Sequence, residues 1–338
     1  MNNNTVNKFN NLSEMISNTP MLEISLKYQG IQRKVYAKAE YYNFTGSIKD
    51  RIAYHILKNS YKDGLLRKGD TIVEASSGNT GIAFSAIGTY LGNPVHIFMP
   101  DWMSRERIKL LESFGAKIHL VSKKDGGFKG SVELANKFGA QNNAFLPHQF
   151  SNLLNVDAHY NTTGREILRQ IEKFGKSPAG IAAGVGTGGT ITGIKKSLQK
   201  IYPDCKAFPI EPYQSPAMST GGTVSGSHKI DGIGDGIIPA IVNLNQLDDI
   251  ICVDDSDAIN MARKIARELG IGVGISSGAN LIGSIKAQNI LNNKDAVIIT
   301  VFADDNKKYL TTELINEQTA KPEHISKDVE LIGFKSIK

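Results

Sequence analysis

An alternation of short apolar segments with helical segments, joined by tight glycine-bearing loops, most limits how this chain of 338 residues can fold. Residues 71–75, 95–99 and 117–121 are apolar runs of strand length, and each is followed by apolar residues at helical spacing. The predicted helices cover residues 79–91, 104–115 and 131–138, with Ser104 as an N-cap. Such βαβα alternation is typical of a parallel sheet covered by helices.

A second alternating series begins after Phe150. Its predicted strands are 181–183, 207–210, 250–253 and 297–302, and its predicted helices are 164–174, 190–201, 256–269 and 279–292. Continuous apolar runs suit strands that are buried on both faces. We therefore predict an α/β protein with two open, mostly parallel-sheet lobes. The predicted boundaries are 50–149 for a smaller lobe, 1–49 plus 150–314 for a larger lobe, and 315–338 for a C-terminal tail.

The two ends of the chain are polar. Residues 1–11 are rich in asparagine and lack the charged start and apolar core of a signal peptide, so we predict a frayed N-terminus and a cytoplasmic protein. No apolar run is long enough to span a membrane. The tail after Leu314 contains a short apolar patch around Val329 and Phe334, which we expect to dock on the body or on a partner.

Charge and cysteine content exclude several classes of function. The net charge of +6 is spread along the chain, which suits small anionic ligands and does not predict the basic stripe of a nucleic-acid-binding protein. Cys205 and Cys252 show no CxxC spacing, so they predict buried thiols rather than a disulfide framework or a metal site.

One lysine stands at a strand-to-helix turn. The segment 45–51 reads Thr-Gly-Ser-Ile-Lys-Asp-Arg, with Lys49 just before a predicted helix. The positive end of a helix dipole disfavours a second positive charge, which suits an amine that must be neutral for part of a reaction cycle. A solvated surface lysine is the alternative interpretation of Lys49 alone.

Two further loops lie where a helix begins. Residues 76–81, Ser-Ser-Gly-Asn-Thr-Gly, follow a predicted strand and offer hydroxyl and backbone N–H groups to a carboxylate or phosphate. Residues 274–279, Gly-Ile-Ser-Ser-Gly-Ala, also enter a helix. Taken singly, the loop 76–81 is equally compatible with an ordinary helix cap, and for the loop 274–279 an ordinary capped helix start is the favoured interpretation.

The loop 184–190, Gly-Val-Gly-Thr-Gly-Gly-Thr, has the composition of a phosphate-binding loop. Gly184, Gly186 and Gly189 also match the G-x-G-x-x-G pattern of dinucleotide sites, and Glu211 ends the next strand. An NAD-dependent oxidoreductase is therefore an alternative, although it leaves Lys49 and the loop 76–81 without a function. No Gly-Lys-Ser/Thr follows, so the loop is not a Walker motif.

Taken together, these segments resemble, in order and spacing, the cysteine synthase and cystathionine β-synthase family of fold type II pyridoxal-phosphate enzymes. The resemblance covers about residues 15–315, and its other matching segments are Asn18-Thr19-Pro20-Met21, Met103-Ser104-Arg105-Glu106-Arg107, Gln149-Phe150-Ser151-Asn152, Thr162-Thr163-Gly164, Glu211-Pro212, His228-Lys229-Ile230 and Tyr309-Leu310-Thr311-Thr312. It implies pyridoxal 5′-phosphate (PLP) as cofactor, an active site in the cleft between two lobes, and a homodimer.

The resemblance also implies a role for individual residues. Lys49 would form the imine with PLP and move the Cα proton, Asn79 would bond the phenolic oxygen, and Ser276 would meet the pyridine nitrogen. The cofactor phosphate would be held by Gly186, Thr187, Gly188, Gly189 and Thr190, and the substrate by Ser76, Ser77, Gly78, Thr80, Gln149 and Gly232. A hydroxyl at the ring nitrogen makes PLP a weaker electron sink, which favours loss of a Cβ group to give an aminoacrylate.

The segment 231–236, Asp-Gly-Ile-Gly-Asp-Gly, departs from the family pattern. Ordinary cysteine synthases usually have glutamine and alanine where this chain has Asp231 and Asp235, and relatives that use O-phosphoserine tend to have arginine near the second position. An aspartate would repel a phosphate leaving group. It would instead orient a water, turning cysteine into serine and hydrogen sulfide, or hold the ammonium group of an incoming amino acid. A solvated loop aspartate is the structural alternative.

The sequence therefore predicts a PLP-dependent enzyme of β-replacement with sulfide as nucleophile or leaving group. It would make cysteine from O-acetyl-L-serine, or convert L-cysteine and water into L-serine and hydrogen sulfide. The same residues are also compatible with a cystathionine or lanthionine synthase, and with a catalytically inactive member of the family that acts by binding. Serine acetyltransferase is a partner that some members of the family bind.

Overall fold

The computed structural model describes all residues from 1 to 338, and packing divides them into two compact units. The first unit comprises residues 1–17 and 43–154, and the second comprises residues 18–42 and 155–338. Each unit combines helices with a sheet that is wholly or mostly parallel, so the predicted α/β fold class is confirmed.

The first unit is built on a three-stranded parallel sheet. Its helices are α1 (Asn3–Met15), α2 (Lys49–Lys62), α3 (Asn79–Leu91), α4 (Arg105–Ser113) and α5 (Gly127–Asn142), and its strands are β3 (Ile72–Ala75), β4 (Val95–Pro100) and β5 (Lys117–Val121). The strand order is β3-β4-β5, and Phe145 extends the sheet beside Ile72 in parallel. Ser104 caps α4 by accepting a hydrogen bond from the Arg107 amide, as predicted.

The second unit contains a seven-stranded sheet in the order β10-β1-β2-β9-β6-β7-β8. Its strands are β1 (Met21–Tyr28), β2 (Ile31–Ala39), β6 (Gly180–Gly184), β7 (Lys206–Pro212), β8 (Ile251–Val253), β9 (Ile298–Phe302) and β10 (Val329–Ile337), and its helices are α6 (Leu154–Asn161), α7 (Thr163–Lys173), α8 (Gly189–Leu198), α9 (Asp255–Leu269) and α10 (Ile275–Ile290). Strand β1 is antiparallel to both β2 and β10, and the other pairs are parallel.

The N-terminus is a helix, so the prediction of a frayed segment is wrong. Asn2 caps α1, and Phe9, Leu12 and Ile16 are buried in the core of the first unit. Their spacing of three and four residues is helical, but the asparagines around them have low helix propensity and obscured the pattern. Burial of the apolar stripe outweighs that weak propensity. Residues 1–17 and 43–49 therefore pack with the first unit, whereas the sequence placed them with the larger lobe.

The C-terminal tail ends in a strand. Strand β10 pairs with β1 along its length, from Tyr28 opposite Val329 to Met21 opposite Ile337. Val329 and Leu331 are buried in the second unit, whereas Ile332, at the register shift of the β1–β10 pair, and Phe334, opposite Ile24, are about half exposed. The apolar patch thus docks on the body through half of its side chains. No helix of the structure is long and apolar enough to cross a membrane.

Candidate active site

Lys49 is the first residue of α2 and is held there by a tight network. The Asp50 carboxylate is fully buried and accepts hydrogen bonds from the Thr45 amide at 2.8 Å and the Thr45 hydroxyl at 2.6 Å. The Lys49 amide donates to the Ser47 hydroxyl at 3.3 Å. Lys49 itself is only partly exposed, and Arg51 behind it is buried. The turn is therefore fixed by its own side chains, and the lysine amine starts from a defined position at a helix N-terminus.

The predicted substrate loop follows β3 and runs into α3. The Ser76 hydroxyl accepts hydrogen bonds from the amides of Gly81 at 2.9 Å and Gly78 at 3.3 Å. Gly78 occupies the N-cap of α3 and has no side chain of its own to cap the helix. The loop therefore presents backbone N–H groups and small hydroxyls, which is the chemistry that binds a carboxylate.

Gln149, the other residue predicted to bind the substrate carboxylate, lies beside this loop. The Thr80 hydroxyl donates to the Gln149 side-chain oxygen at 2.7 Å, and the Gln149 side-chain nitrogen donates to the Ala75 carbonyl at 2.9 Å. Thr80 and Gln149 are each 3% exposed. The structure thus groups Ser76, Ser77, Thr80 and Gln149 at the carboxyl end of β3, in the first unit.

The predicted phosphate loop joins β6 to α8 in the second unit. Gly188 adopts a positive φ of 83° at the N-cap, so no side chain caps α8. The Thr187 hydroxyl accepts from the Asn155 side-chain nitrogen at 2.9 Å and from the Gly189 amide at 3.4 Å. A Cβ on Gly189 would overlap the Asn155 side chain. The loop thus exposes backbone amides at the start of α8. Asn155 supports the loop, although nothing in the sequence indicated that residue.

Ser276 lies in the first turn of α10 and is 5% exposed. The neighbouring Ser277 hydroxyl accepts from the Ala303 amide at 3.1 Å, and the Gly274 amide donates to the Asp304 carbonyl at 3.1 Å. These bonds tie the helix start to the segment after β9. They place a buried serine hydroxyl in a well-defined position.

The segment 231–236 packs directly against the phosphate loop. The Gly234 amide donates to the Val185 carbonyl at 3.0 Å, and a Cβ on Gly186 would overlap the Gly232 carbonyl. Gly232, Gly234 and Gly236 all have positive φ, which only glycine adopts readily. Asp231 and Asp235 alternate with these glycines and are both partly exposed. The structure therefore brings the two aspartates to the edge of the loop predicted to hold phosphate.

His228 fixes the middle of this segment, although in the sequence this residue was only part of a matching segment with no role assigned to it. Its Nε2 lies 2.9 Å from the Gly234 carbonyl oxygen, which can only accept, so Nε2 carries the proton. Gly234 immediately precedes Asp235, so the histidine sets the backbone at the aspartate.

Glu211 has a structural role that argues against the dinucleotide alternative. Its carboxylate is buried and accepts from the amides of Met218 at 2.7 Å and Ser219 at 3.0 Å. The acidic residue of a dinucleotide site must instead be open to a ribose hydroxyl. Close packing around Gly186 and Gly189, rather than a dinucleotide, thus accounts for the glycines of the G-x-G-x-x-G pattern.

The loops fit one cofactor chemistry. A lysine at a helix start suits a carbonyl carbon, the amides before α8 suit a phosphate, and the buried Ser276 hydroxyl suits a pyridine nitrogen. Together with the two α/β units, these sites define a PLP-dependent enzyme. The family profile of pyridoxal-phosphate dependent enzymes matches residues 12–304, and the chain belongs to that family.

Relatives narrow the class to cysteine synthases. A probable cysteine synthase of Bacillus subtilis (strain 168) is 38% identical over 307 residues, which cover 90% of this chain and 97% of the relative. The solved structure of a hydrogen sulfide-producing enzyme from Fusobacterium nucleatum is 50% identical with a TM-score of 0.96, covering 98% of this chain and 99% of that chain. The protein is thus a PLP-dependent enzyme of the cysteine synthase family that performs β-replacement with sulfide chemistry.

A variant of the F. nucleatum enzyme has also been solved. In that variant one aspartate is replaced by asparagine, and its structure holds an α-aminoacrylate intermediate. It is 51% identical to this chain with a TM-score of 0.94, covering 96% of this chain and 97% of that chain.

Proposed function

We propose that this enzyme releases hydrogen sulfide from L-cysteine, with water as the second substrate and L-serine as the other product. The observation that carries the proposal is the packing of the Asp231–Gly236 segment against the phosphate loop through Gly186 and Gly234. Asp231 and Asp235 lie in this segment, and the resemblance to cysteine synthases predicts the Cβ chemistry beside it, which supports a role for one of the two carboxylates. The likeness to a hydrogen sulfide-producing enzyme over nearly the whole chain supports the same direction.

The residues that hold the cofactor follow from the same proposal. Lys49 would bind PLP covalently through its amine, and Asn79 at the start of α3 would donate to the phenolic oxygen. The amides of residues 186–190 and the Thr187 hydroxyl would hold the phosphate, and the Ser276 hydroxyl would face the pyridine nitrogen. When bound, PLP supplies an electron-withdrawing ring that acidifies the substrate Cα–H and allows the Cβ substituent to leave.

The chain's own groups orient the substrate and move its protons. The loop 76–80 and Gln149 bind the α-carboxylate through backbone amides and hydroxyls, and the Lys49 amine takes the Cα proton and later returns it. The Cβ–S bond breaks and the sulfur leaves as hydrogen sulfide. A carboxylate of the segment 231–236 accepts a proton from water while the oxygen of that water bonds to Cβ. Cysteine and water therefore give serine and hydrogen sulfide.

Asparagine substitutions at Asp231 and Asp235 test this role, and each variant is the matched control of the other. Amide replaces carboxylate at nearly the same size, so the fold is preserved while the base is lost. We expect the variant at the base to form serine about 10²-fold more slowly or worse, and the other to change less than about threefold. Serine formation from L-cysteine and the PLP content of each purified protein are the measurements.

Two results would contradict the proposal. If both variants form serine at the parent rate, neither carboxylate activates water. If the parent, given only L-cysteine, forms lanthionine in place of serine, the carboxylates hold the ammonium group of a second amino acid, as in the cystathionine and lanthionine synthases.

For the assembly, we propose a cytoplasmic homodimer, on the basis of the family resemblance and the composition. Serine acetyltransferase remains a proposed partner on the same basis. Light scattering of the purified protein, alone and mixed with serine acetyltransferase, measures both.

A further inference from the structure

The first unit contains a buried carboxyl group that the mechanism above does not use. Glu74 lies in β3 and is 5% exposed. Its two oxygens accept hydrogen bonds from backbone amides, one from Ala75 at 2.9 Å and the other from Gln149 at 3.2 Å. A buried carboxyl group is costly unless its acceptors are satisfied, so this pair of bonds indicates a specific arrangement.

The bond to Gln149 joins two chain segments that are otherwise far apart in sequence. Phe145 pairs with β3 through hydrogen bonds to Thr71 and Val73, and the chain then turns at His148, which has a positive φ of 53°. A non-glycine residue in that region is disfavoured and must be held there by its surroundings. Glu74 accepts from the first amide after this kink and thereby fixes the position of Gln149.

We propose that Glu74 is a positioning residue that holds Gln149 in place to bind the substrate α-carboxylate. The Gln149 side chain in turn contacts the Thr80 hydroxyl and the Ala75 carbonyl, so the carboxylate anchors the whole substrate loop at its base. This inference rests on the proposed role of Gln149 and Thr80. Every amino-acid substrate has the same α-carboxylate, so the inference applies equally to sulfide release and to cysteine synthesis.

The titration of Glu74 predicts a pH dependence by which the positioning role can be tested. Burial raises the pKa of the Glu74 carboxyl to about 7, and the hydrogen bonds from Ala75 and Gln149 partly oppose the increase. No charged side chain is its partner; Arg107 on α4 bonds instead to the Ser77 carbonyl at 3.4 Å. Protonation leaves one oxygen as a donor, so the bond to the Gln149 amide weakens as the pH falls through about 7.

As the pH rises towards about 7, the contribution of Glu74 to the stability of the fold and its contribution to substrate binding change in opposite directions. Because the pKa is higher in the folded state, the contribution of Glu74 to stability is present at low pH and is lost as the pH rises towards about 7. Substrate binding instead improves over that interval. A purely structural role of Glu74 would change the stability with pH and leave substrate binding unchanged.

The test is the substitution Glu74→Gln, combined with Gln149→Ala in a double-mutant cycle. An amide can accept only one of the two hydrogen bonds, so we expect the KM for L-cysteine to rise about tenfold or more with kcat within about twofold. The parent KM should rise as the pH falls below about 7, and the Glu74→Gln KM should not. If Glu74 acts through Gln149, the double variant should be no worse than Gln149→Ala alone.

Glu112→Gln, on the exposed surface of α4, is the matched control and should leave KM unchanged. Hydrogen exchange of the peptide around Gln149 gives a readout that needs no turnover, and we expect faster exchange in Glu74→Gln only. Additive effects in the cycle, or unchanged exchange and KM, would overturn the inference. If the parent makes cysteine from O-acetyl-L-serine but releases no sulfide from L-cysteine, the proposed function fails and the inference about Glu74 does not. The double-mutant cycle of Glu74 and Gln149 is then measured with O-acetyl-L-serine as substrate.

Discussion

Replacing Lys49 with alanine is expected to slow sulfide release from L-cysteine by about 10³-fold or more, because the substitution removes both the covalent attachment of PLP and the group that moves the Cα proton. The surrounding turn is held by Asp50 and Thr45, which do not depend on the lysine side chain. The loss should therefore occur without unfolding. Steady-state rates and thermal unfolding of the parent and the variant measure the two effects separately.

Lys62→Ala is the matched control, since Lys62 lies exposed in the last turn of the same helix. It should retain full activity. Borohydride reduction followed by mass spectrometry should fix PLP to the parent and to Lys62→Ala but not to Lys49→Ala. Retained activity, or a reduced adduct, in Lys49→Ala would show that the cofactor is bound elsewhere.

A second large effect is expected on stability, from a lysine that plays no part in the reaction. Lys38 in β2 is fully buried, and its amine donates to the Thr19 carbonyl at 2.6 Å, to Glu166 at 2.9 Å and to Gln170 at 3.0 Å. All three donors of the ammonium group are satisfied. Replacing Lys38 with methionine leaves the Glu166 carboxylate buried without its cation, so we expect a loss of about 3–5 kcal/mol in the free energy of unfolding.

Lys27→Met provides the comparison, since Lys27 lies in β1, the antiparallel neighbour of β2. Lys27 pairs with Glu330 at 3.1 Å on the surface, where ion pairs contribute about 0–1 kcal/mol. Urea titrations of the parent and the two variants give the free energies. Equal losses in the two variants would mean that the buried network around Lys38 contributes no more to stability than a surface ion pair.

Much of the fold was predictable because its information is local. The strands around Val73, Ile97 and Ile181 are short apolar runs, and the helices after them carry their own caps and glycine stops, as at Ser104 and Gly92. Local spacing also identified the loops around Lys49, Asn79 and Gly188. In each case, the residues that determine the local structure lie within a few positions of one another.

The remainder depends on distant partners that the local pattern does not reveal. Strand β10 pairs with β1 across almost the whole chain, and the sequence indicated only an apolar patch near Val329. In the sequence, Lys38 occupies a polar position of an alternating strand, which predicts an exposed side chain. In the structure it is buried because it forms an ion pair with Glu166. Likewise, nothing in the sequence near Glu74 indicates its hydrogen bond to the distant Gln149 amide.

The chemistry at Asp231 and Asp235 remains a proposal. The sequence singled out the segment because it departs from the family pattern, and the structure sets it against Gly186. Gly232, Gly234 and Gly236 all have positive φ, and their packing against the phosphate loop sets the backbone at the two aspartates, which the local sequence alone does not encode.

The most direct test of the central claim is to incubate the purified enzyme with L-cysteine alone in oxygen-labelled water and to measure sulfide and serine. We predict equal amounts of hydrogen sulfide and L-serine, with the labelled oxygen in the serine hydroxyl. Absence of labelled serine, together with rapid synthesis of cysteine from O-acetyl-L-serine and sulfide, would contradict the account and identify the enzyme as a cysteine synthase.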